Sequence, residues 1–158
     1  MQNIIPKNTE INPYYIVSPP YTHRSAGIKV LHLLCHYLNI KGYPAFICDY
    51  FPNRNSKSYI NLDFITPLLT RDIVNDHKEC NKNPIVVYPE IISGNPLNAD
   101  CVVRYLLNYP GLIGGEKDEK YGNCDLIFSY SELIKESLVK FESEIMFMPV
   151  CDTIYRVS

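Results

Sequence analysis

Residues 14–48 read YYIVSPPYTHRSAGIKVLHLLCHYLNIKGYPAFIC, and the stretch divides into three pieces of different periodicity. Tyr14 to Ser18 is a short β-rich run closed by Pro19-Pro20, which suits a buried strand. From Gly27 to Ile40 the apolar residues Ile28, Leu31, Leu34, Cys35 and Leu38 recur every three or four positions, the spacing of one helix face. Lys41-Gly42 gives that helix a basic last turn and a glycine stop. Ala45 to Cys48 is a second short strand. Strand, helix, strand is the unit from which parallel sheets are built.

The alternation continues along the chain. Asp49 to Ser58, rich in Asn, Pro and Ser, marks a loop. Leu62 to Thr70 fits a short helix or an irregular apolar segment, and the polar stretch Asp72 to Asn83 has no decisive pattern. Pro84 to Tyr88 is the best strand, since its continuous apolar character suits a strand covered on both faces. A loop over Glu90–Ala99 follows, then a helix expected from about Asp100 to Asn108, with Val102, Val103, Leu106 and Leu107 inside and Pro110-Gly111 ending it. Cys124 to Ser129 reads as a strand, Ser131 to Glu142 as a helix and Glu144 to Val150 as a last strand. The expected fold is therefore α/β: residues 1–158 as one Rossmann-like domain, a parallel sheet with helices on both faces.

Composition narrows the class. The chain has 158 residues, 46% of them apolar, enough for one ordinary hydrophobic core. A formal charge of −2 gives no field that would attract nucleic acid. The six cysteines are widely spaced without a CxxC pair, which points to reduced, buried thiols rather than to zinc or disulfides. MQNIIPKNTEIN lacks the pattern of a signal peptide, and no apolar run approaches the roughly 20 residues that span a bilayer. A cytoplasmic protein is expected, with peripheral membrane contact left open.

Two loops carry the chemistry. In Tyr21-Thr22-His23-Arg24-Ser25-Ala26-Gly27, Gly27 would let backbone approach a ligand and the helix start offers free N–H groups. Arg24 can grip a carboxylate or phosphate with two parallel hydrogen bonds, and His23 can donate, accept or carry a proton. The plain alternative is a solvated Arg24, a Ser25 helix cap and His23 packed on Tyr21. In the second loop Glu90 stands just past a buried strand, where a carboxylate needs a partner or a task. It is either a general base or half of an ion pair with Arg24 or Arg104. Ser93-Gly94-Asn95-Pro96 is a turn pattern, and Asn95 either holds that turn or offers donor and acceptor atoms to a hydroxylated ligand. Ligands of parallel α/β sheets bind at the carboxyl ends of the strands, so both loops should open on one edge.

The remaining features are weaker. His32 and His36 share a helix face without the acidic residue of HExxH, which favours a helix surface over a metal site. Gly111-Leu112-Ile113-Gly114-Gly115-Glu116 resembles a flexible turn more than a phosphate cradle, and no GxGxxG fingerprint exists. The thirteen tyrosines are scattered, as core and rim residues are.

The segments Ser18–Gly27, Val87–Leu97 and Val102–Gly111 resemble the N-terminal half of bacterial GT-B glycosyltransferases, including enzymes of surface polysaccharide synthesis. The resemblance runs from Tyr14 to Asp152. It implies an acceptor-side domain of an enzyme that moves a sugar from a nucleotide-sugar to a glycan or lipid-linked acceptor, without a metal or other cofactor. On that resemblance His23 and Glu90 are the catalytic candidates, and Arg24, Ser25, Gly27, Ser93, Gly94 and Asn95 the substrate-binding ones. A chain ending at Ser158 would lack the donor-binding half, so a second chain or domain is expected to supply it. The alternative is a non-catalytic carbohydrate- or nucleotide-binding domain that completes another transferase. A flavodoxin- or response-regulator-like domain is disfavoured, because no acidic cluster follows the first strand.

Overall fold

Six parallel strands in the order β2-β1-β3-β4-β5-β6 form the sheet: β1 Tyr14–Val17, β2 Ala45–Cys48, β3 Ile85–Pro89, β4 Cys101–Leu106, β5 Leu126–Ser129 and β6 Glu144–Ile145. Among the described residues three α-helices accompany them: α1 Ala26–Ile40, α2 Arg71–Glu79 and α3 Glu132–Glu136. The computed structural model describes residues 11–49 and 59–150; the loop expected at 49–58, Asp49 apart, lies outside them, as do Cys151 and the first ten residues.

The Rossmann-like reading holds, and alternation along the strands shows why both faces are covered. Ile16, Ala45, Ile47, Val87, Val103 and Tyr105 point to one face, where Val30, Leu31 and Cys35 of α1 pack on them. Tyr15, Val17, Cys48, Val86, Tyr88 and Val102 point to the other, against Val74 of α2 and Ile91, Ile92 and Ala99 of the β3–β4 loop. Further along that second face, Leu106 and Ile127 meet Tyr121 and Ile134 of α3. The faces divide as right-handed crossovers require: α1 steps from β1 outward to β2, and every later connection steps the opposite way.

Caps fix the helix ends. Ser25 is the N-cap of α1, its side chain accepting from the Ile28 N–H at 3.3 Å, and Gly42 follows the helix with φ 87°. Such a side-chain cap is worth about 1 kcal/mol, and the left-handed glycine satisfies the end of the helix without a Cβ penalty. Thr70 caps α2 in the same way, with Asp72 in its first turn and Lys78 in its last, each charge placed to suit the helix dipole.

Two helix expectations and the length of the last strand are corrected, and one undecided stretch is resolved. Residues 101–106 form β4, not a helix: Cys-Val-Val-Arg-Tyr-Leu is buried on both faces, so it lacks the alternation that marks a strand, and its β-branched and aromatic residues decide the outcome. The polar stretch 71–79 is helix α2. The helix expected over 131–142 stops at Glu136, because the chain beyond it is claimed by a buried carboxylate. Asp118 Oδ2 accepts the N–H groups of Val139, Lys140 and Phe141 at 2.9, 2.7 and 3.2 Å, an arrangement that a continued helix cannot offer. The last strand is short as well, and past Ile145 the backbone carbonyls of Met146 and Met148 accept from Tyr105 and Tyr130 hydroxyls instead of from a ladder.

Candidate functional site

β1 and β3 are adjacent and parallel, so the loops that leave them open on the same carboxyl edge of the sheet. They meet there through Leu107. A Cβ on Gly27 would stand 3.6 Å from Leu107 Cδ1, and the Leu107 N–H donates to Glu90 Oε2 at 3.0 Å. The end of β4 is thus wedged between the start of α1 and the carboxylate that follows β3.

Glu90 is the centre of this edge and is 4% exposed. Its carboxylate accepts main-chain N–H groups of Leu107, Asn108 and its own residue, and among the described residues no cation pairs with it. Burial pushes its proton affinity above the ordinary carboxylate value, and the three N–H groups offset part of that rise. The ion pairs open to Glu90 from sequence, with Arg24 or Arg104, are not formed.

Arg104 is engaged elsewhere. It lies on β4 at 1% exposure, with its Nε donating to Asp125 Oδ2 at 2.9 Å and its Nη1 to the Ile92 carbonyl at 3.0 Å. Its Nη2 donates to the Gly94 carbonyl, and the guanidinium lies over the rings of Tyr88 and Tyr121, 5.2 and 4.7 Å from their centroids. A planar fork with five donors can satisfy three acceptors in fixed directions, which an ammonium cannot. Arg104 therefore pins the 92–94 turn to the sheet. Sequence reasoning placed it on a helix, in solvent or in an ion pair; the ion pair is formed, with Asp125, but the hold on the 92–94 turn was missed, and a lone Arg inside an unbroken apolar run was the available clue.

The turn itself is held from within. Tyr88 donates its hydroxyl to Asn95 Oδ1 at 2.9 Å and receives the Leu97 N–H at 3.0 Å. Asn95 Oδ1 also accepts the Ala99 N–H at 3.0 Å, while its Nδ2 donates to the Ala99 carbonyl at 2.8 Å. Gly94, at φ 67°, donates its N–H to Glu116 Oε1 at 2.8 Å, and Ser93 is exposed beside it. Both polar atoms of the Asn95 side chain bond within its own loop, although the residue is exposed.

Gly114 and Gly115 pack this turn from outside. A Cβ on Gly115, whose φ is 71°, would stand 2.0 Å from the Glu90 carbonyl oxygen, a separation no side chain tolerates. The glycine-rich segment is thus a fitted cover for the backbone at 90–91, and its tip exposes Leu112 and Ile113, 65% and 66% accessible.

On the first loop, His23 and Arg24 are exposed, and the Arg24 N–H donates to Thr22 Oγ1 at 3.3 Å. Ser25 serves as the helix cap. Gly27 meets Leu107 only at ordinary contact distance, so nothing in the fold demands a glycine there. His32 lies below this loop, fully buried, its Nε2 hydrogen-bonded to the Pro19 carbonyl at 3.2 Å. A carbonyl only accepts, so Nε2 carries the proton; Nδ1 has no partner, and burial lowers the pKa of the ring. His36 Nδ1 accepts the Ile65 N–H at 2.9 Å. Among the described residues no cluster of three or more potential metal ligands occurs, and no helix is long and apolar enough to cross a membrane. The five described cysteines are free thiols, with burial pushing Cys35 up to about 12 and Cys48 up to about 11. No family model, no curated protein and no solved structure matches this chain.

Proposed function

We propose that the carboxyl edge of the sheet is the acceptor side of a glycosyltransferase-like domain working in the cytoplasm, and that a second domain or chain brings the nucleotide-sugar. The observation that carries this reading is Glu90: a buried carboxylate with no cation beside it, at the carboxyl end of a central parallel strand. In the reaction an acceptor hydroxyl oxygen bonds to the anomeric carbon, the bond to the nucleoside diphosphate breaks with its electron pair on the diphosphate, and the hydroxyl proton passes to Glu90. His23 is the rival base on the neighbouring loop. Arg24 and the N–H groups opening α1 face outward at the same edge and suit the departing phosphates. Leu112 and Ile113 offer apolar contact to the donor-binding domain or chain.

A second reading, a recognition domain that binds sugar without transferring it, is favoured by the same geometry seen from the ligand. Glu90 is enclosed and its carboxylate already accepts three main-chain N–H groups, which suits binding at this edge better than proton transfer there. Amide NMR titrations with UDP and with mono- and oligosaccharides separate these readings from no function at this edge. Saccharide-induced shifts at residues 23–27, 90–95 and 107–109 are expected, with weak or no UDP binding by this chain alone. Shifts confined to any other surface overturn the assignment. Transfer activity on adding a donor-binding partner, lost in Glu90→Gln, then selects the enzyme over the recognition domain.

A further inference from the structure

Helix α1 carries His32 and His36 one turn apart, and each is joined to chain outside the helix through a ring nitrogen. His36 is half-buried, and its Nδ1 accepts the Ile65 N–H at 2.9 Å. His32 is fully buried; its Nε2 donates to the Pro19 carbonyl at 3.2 Å and its Nδ1 has no partner. Rings fill the space between the two. Tyr21 stands edge-on to His32 and to Phe64, with centroids 5.3 and 5.8 Å apart, and Phe64 lies against His36 at 5.3 Å. The Tyr21 N–H donates to the Tyr59 carbonyl at 2.8 Å, which ties the loop 19–24 to the segment 59–65. The histidines thus end one aromatic row that holds both pieces of chain on α1.

Both ends of the row require neutral rings. A main-chain N–H only donates, so His36 receives it at Nδ1 only while that nitrogen is bare. A second proton makes Nδ1 a donor facing a donor, and the bond is lost. At His32 a second proton would go on Nδ1, where no acceptor waits, so the charge is tolerated only once Pro19 and Tyr21 lift away. Burial lowers the pKa of His32 accordingly. The other titratable side chains of α1 are Lys29, Cys35 and Tyr37, and those of the loop are Tyr21, His23 and Arg24. Segment 59–65 adds Tyr59 and Asp63. Asp63, the one carboxylate among them, is exposed and screened by water, while Lys29 has the same sign as a charged ring. Past Ile65 the chain stays tied to β2, since Ile47 donates to the Pro67 carbonyl and accepts the Leu69 N–H, both at 2.8 Å. We propose that His36 and His32 form an acid-sensitive latch: neutral rings hold 59–65 and 19–24 on α1, and protonation frees both, the His23–Arg24 turn with them.

The test is amide-exchange protection of the full chain, corrected for intrinsic rates, at about pH 7.5 and about pH 5, either side of the ordinary histidine value near 6.5. Protection of Ile65 and Tyr21 should fall about tenfold or more at the lower pH, while Ile16 and Val87 in the strands keep theirs. His36→Asn places Oδ1 where Nδ1 stands and accepts at any pH, so Ile65 should stay protected throughout. His36→Phe keeps a ring but removes the acceptor, so Ile65 should lose protection at both pH values. His32→Gln keeps a donor for Pro19 without a group that charges, so Tyr21 should stay protected in acid. Wild-type protection equal at the two pH values, a loss in His36→Asn matching wild type, or a loss shared by the strands overturns the latch. None of these outcomes depends on what the carboxyl edge binds, so the latch and the glycosyltransferase reading stand or fall separately.

Discussion

Arg104→Met and Arg104→Lys, taken as a pair, test whether one side chain holds the candidate site together. The wild-type guanidinium meets Asp125 at 2.9 Å, the Ile92 carbonyl at 3.0 Å, the Gly94 carbonyl and two tyrosine faces. Removing one partner of a buried ion pair costs about 3–5 kcal/mol, because the other charge stays behind. Asp125 is not left wholly bare, since it still accepts the Gly122 N–H at 3.1 Å, which favours the lower half of that range. The Ile92 carbonyl loses its charged donor too, worth about 1.5–3 kcal/mol on its own, and these terms overlap rather than add. Arg104→Met should therefore lower stability by about 3–5 kcal/mol, a large part of the roughly 5–15 kcal/mol of a typical domain. Lysine keeps the charge for Asp125 but cannot reach three acceptors, so Arg104→Lys should cost about 1.5–3 kcal/mol. Urea unfolding followed by far-ultraviolet circular dichroism gives both numbers, since the chain has no Trp to report by fluorescence. Amide exchange at Gly94 and Leu97 reports the turn itself, and it should rise in Arg104→Lys while the strands stay protected. A Met variant within about 1 kcal/mol of wild type, or a Lys variant equal to it, refutes the pin.

The glycines give opposite expectations. Gly115→Ala should cost about 3 kcal/mol or more, from positive φ and a Cβ forced onto the Glu90 carbonyl, and a melting temperature close to wild type contradicts that packing. Gly27→Ala should stabilise by about 0.5–1 kcal/mol, since the added Cβ meets only Leu107 at ordinary distance; a loss of saccharide affinity alongside that gain would mark Gly27 as a ligand contact. Glu90 has a raised folded pKa, so its contribution is complete below the unfolded value near 4.5 and declines as pH rises through the folded value. The stability of wild type relative to Glu90→Gln should therefore fall with rising pH over that interval, and a pH-independent difference in urea midpoints counts against the buried carboxylate. His32 has a lowered pKa, so the unfolded chain takes up its proton first as pH drops below about 6.5. His32→Asn should flatten the acid-side loss of stability, read from the same urea series.

The β-α-β unit at 14–48 was legible because its determinants are local: prolines closing a strand, a stripe of apolar residues at helical spacing and a glycine after the last turn. Helix α2 was not, because its stability rests on Thr70, Asp72, His77 and Lys78 at its ends rather than on an apolar stripe. The misreading of 101–106 has a different cause. A strand buried on both faces gives an unbroken apolar run, which periodicity cannot separate from a buried helix. Once those residues are placed in the sheet, Arg104 moves from a helix surface to the floor of the site, so one secondary-structure error hid one functional element. The early stop of α3 was illegible for a third reason: Asp118 lies far away in sequence and acts on Val139, Lys140 and Phe141 only after the fold has formed.

The loop that joins β3 to β4 without a helix decides how the carboxyl edge is held. A crossover helix would have packed its own apolar face on Tyr15, Val86 and Tyr88 and satisfied its own backbone. The 90–100 loop packs Ile91, Ile92 and Ala99 on that face but does not satisfy its own backbone, so its carbonyls at Ile92 and Gly94 take a buried cation, which Arg104 supplies. The floor at Tyr15 and Val86 is buried beneath Val74 and His77 of α2 and Ala99 of the loop, so loop and helix share its cover. Rigidity should differ between them: the turn at 92–94 is tied by Arg104, Asn95 and Glu116, whereas α2 meets the sheet with no fully buried residue. Amide exchange should therefore protect Gly94 better than the turns of α2, an order that α2's regular helical hydrogen bonding alone would reverse.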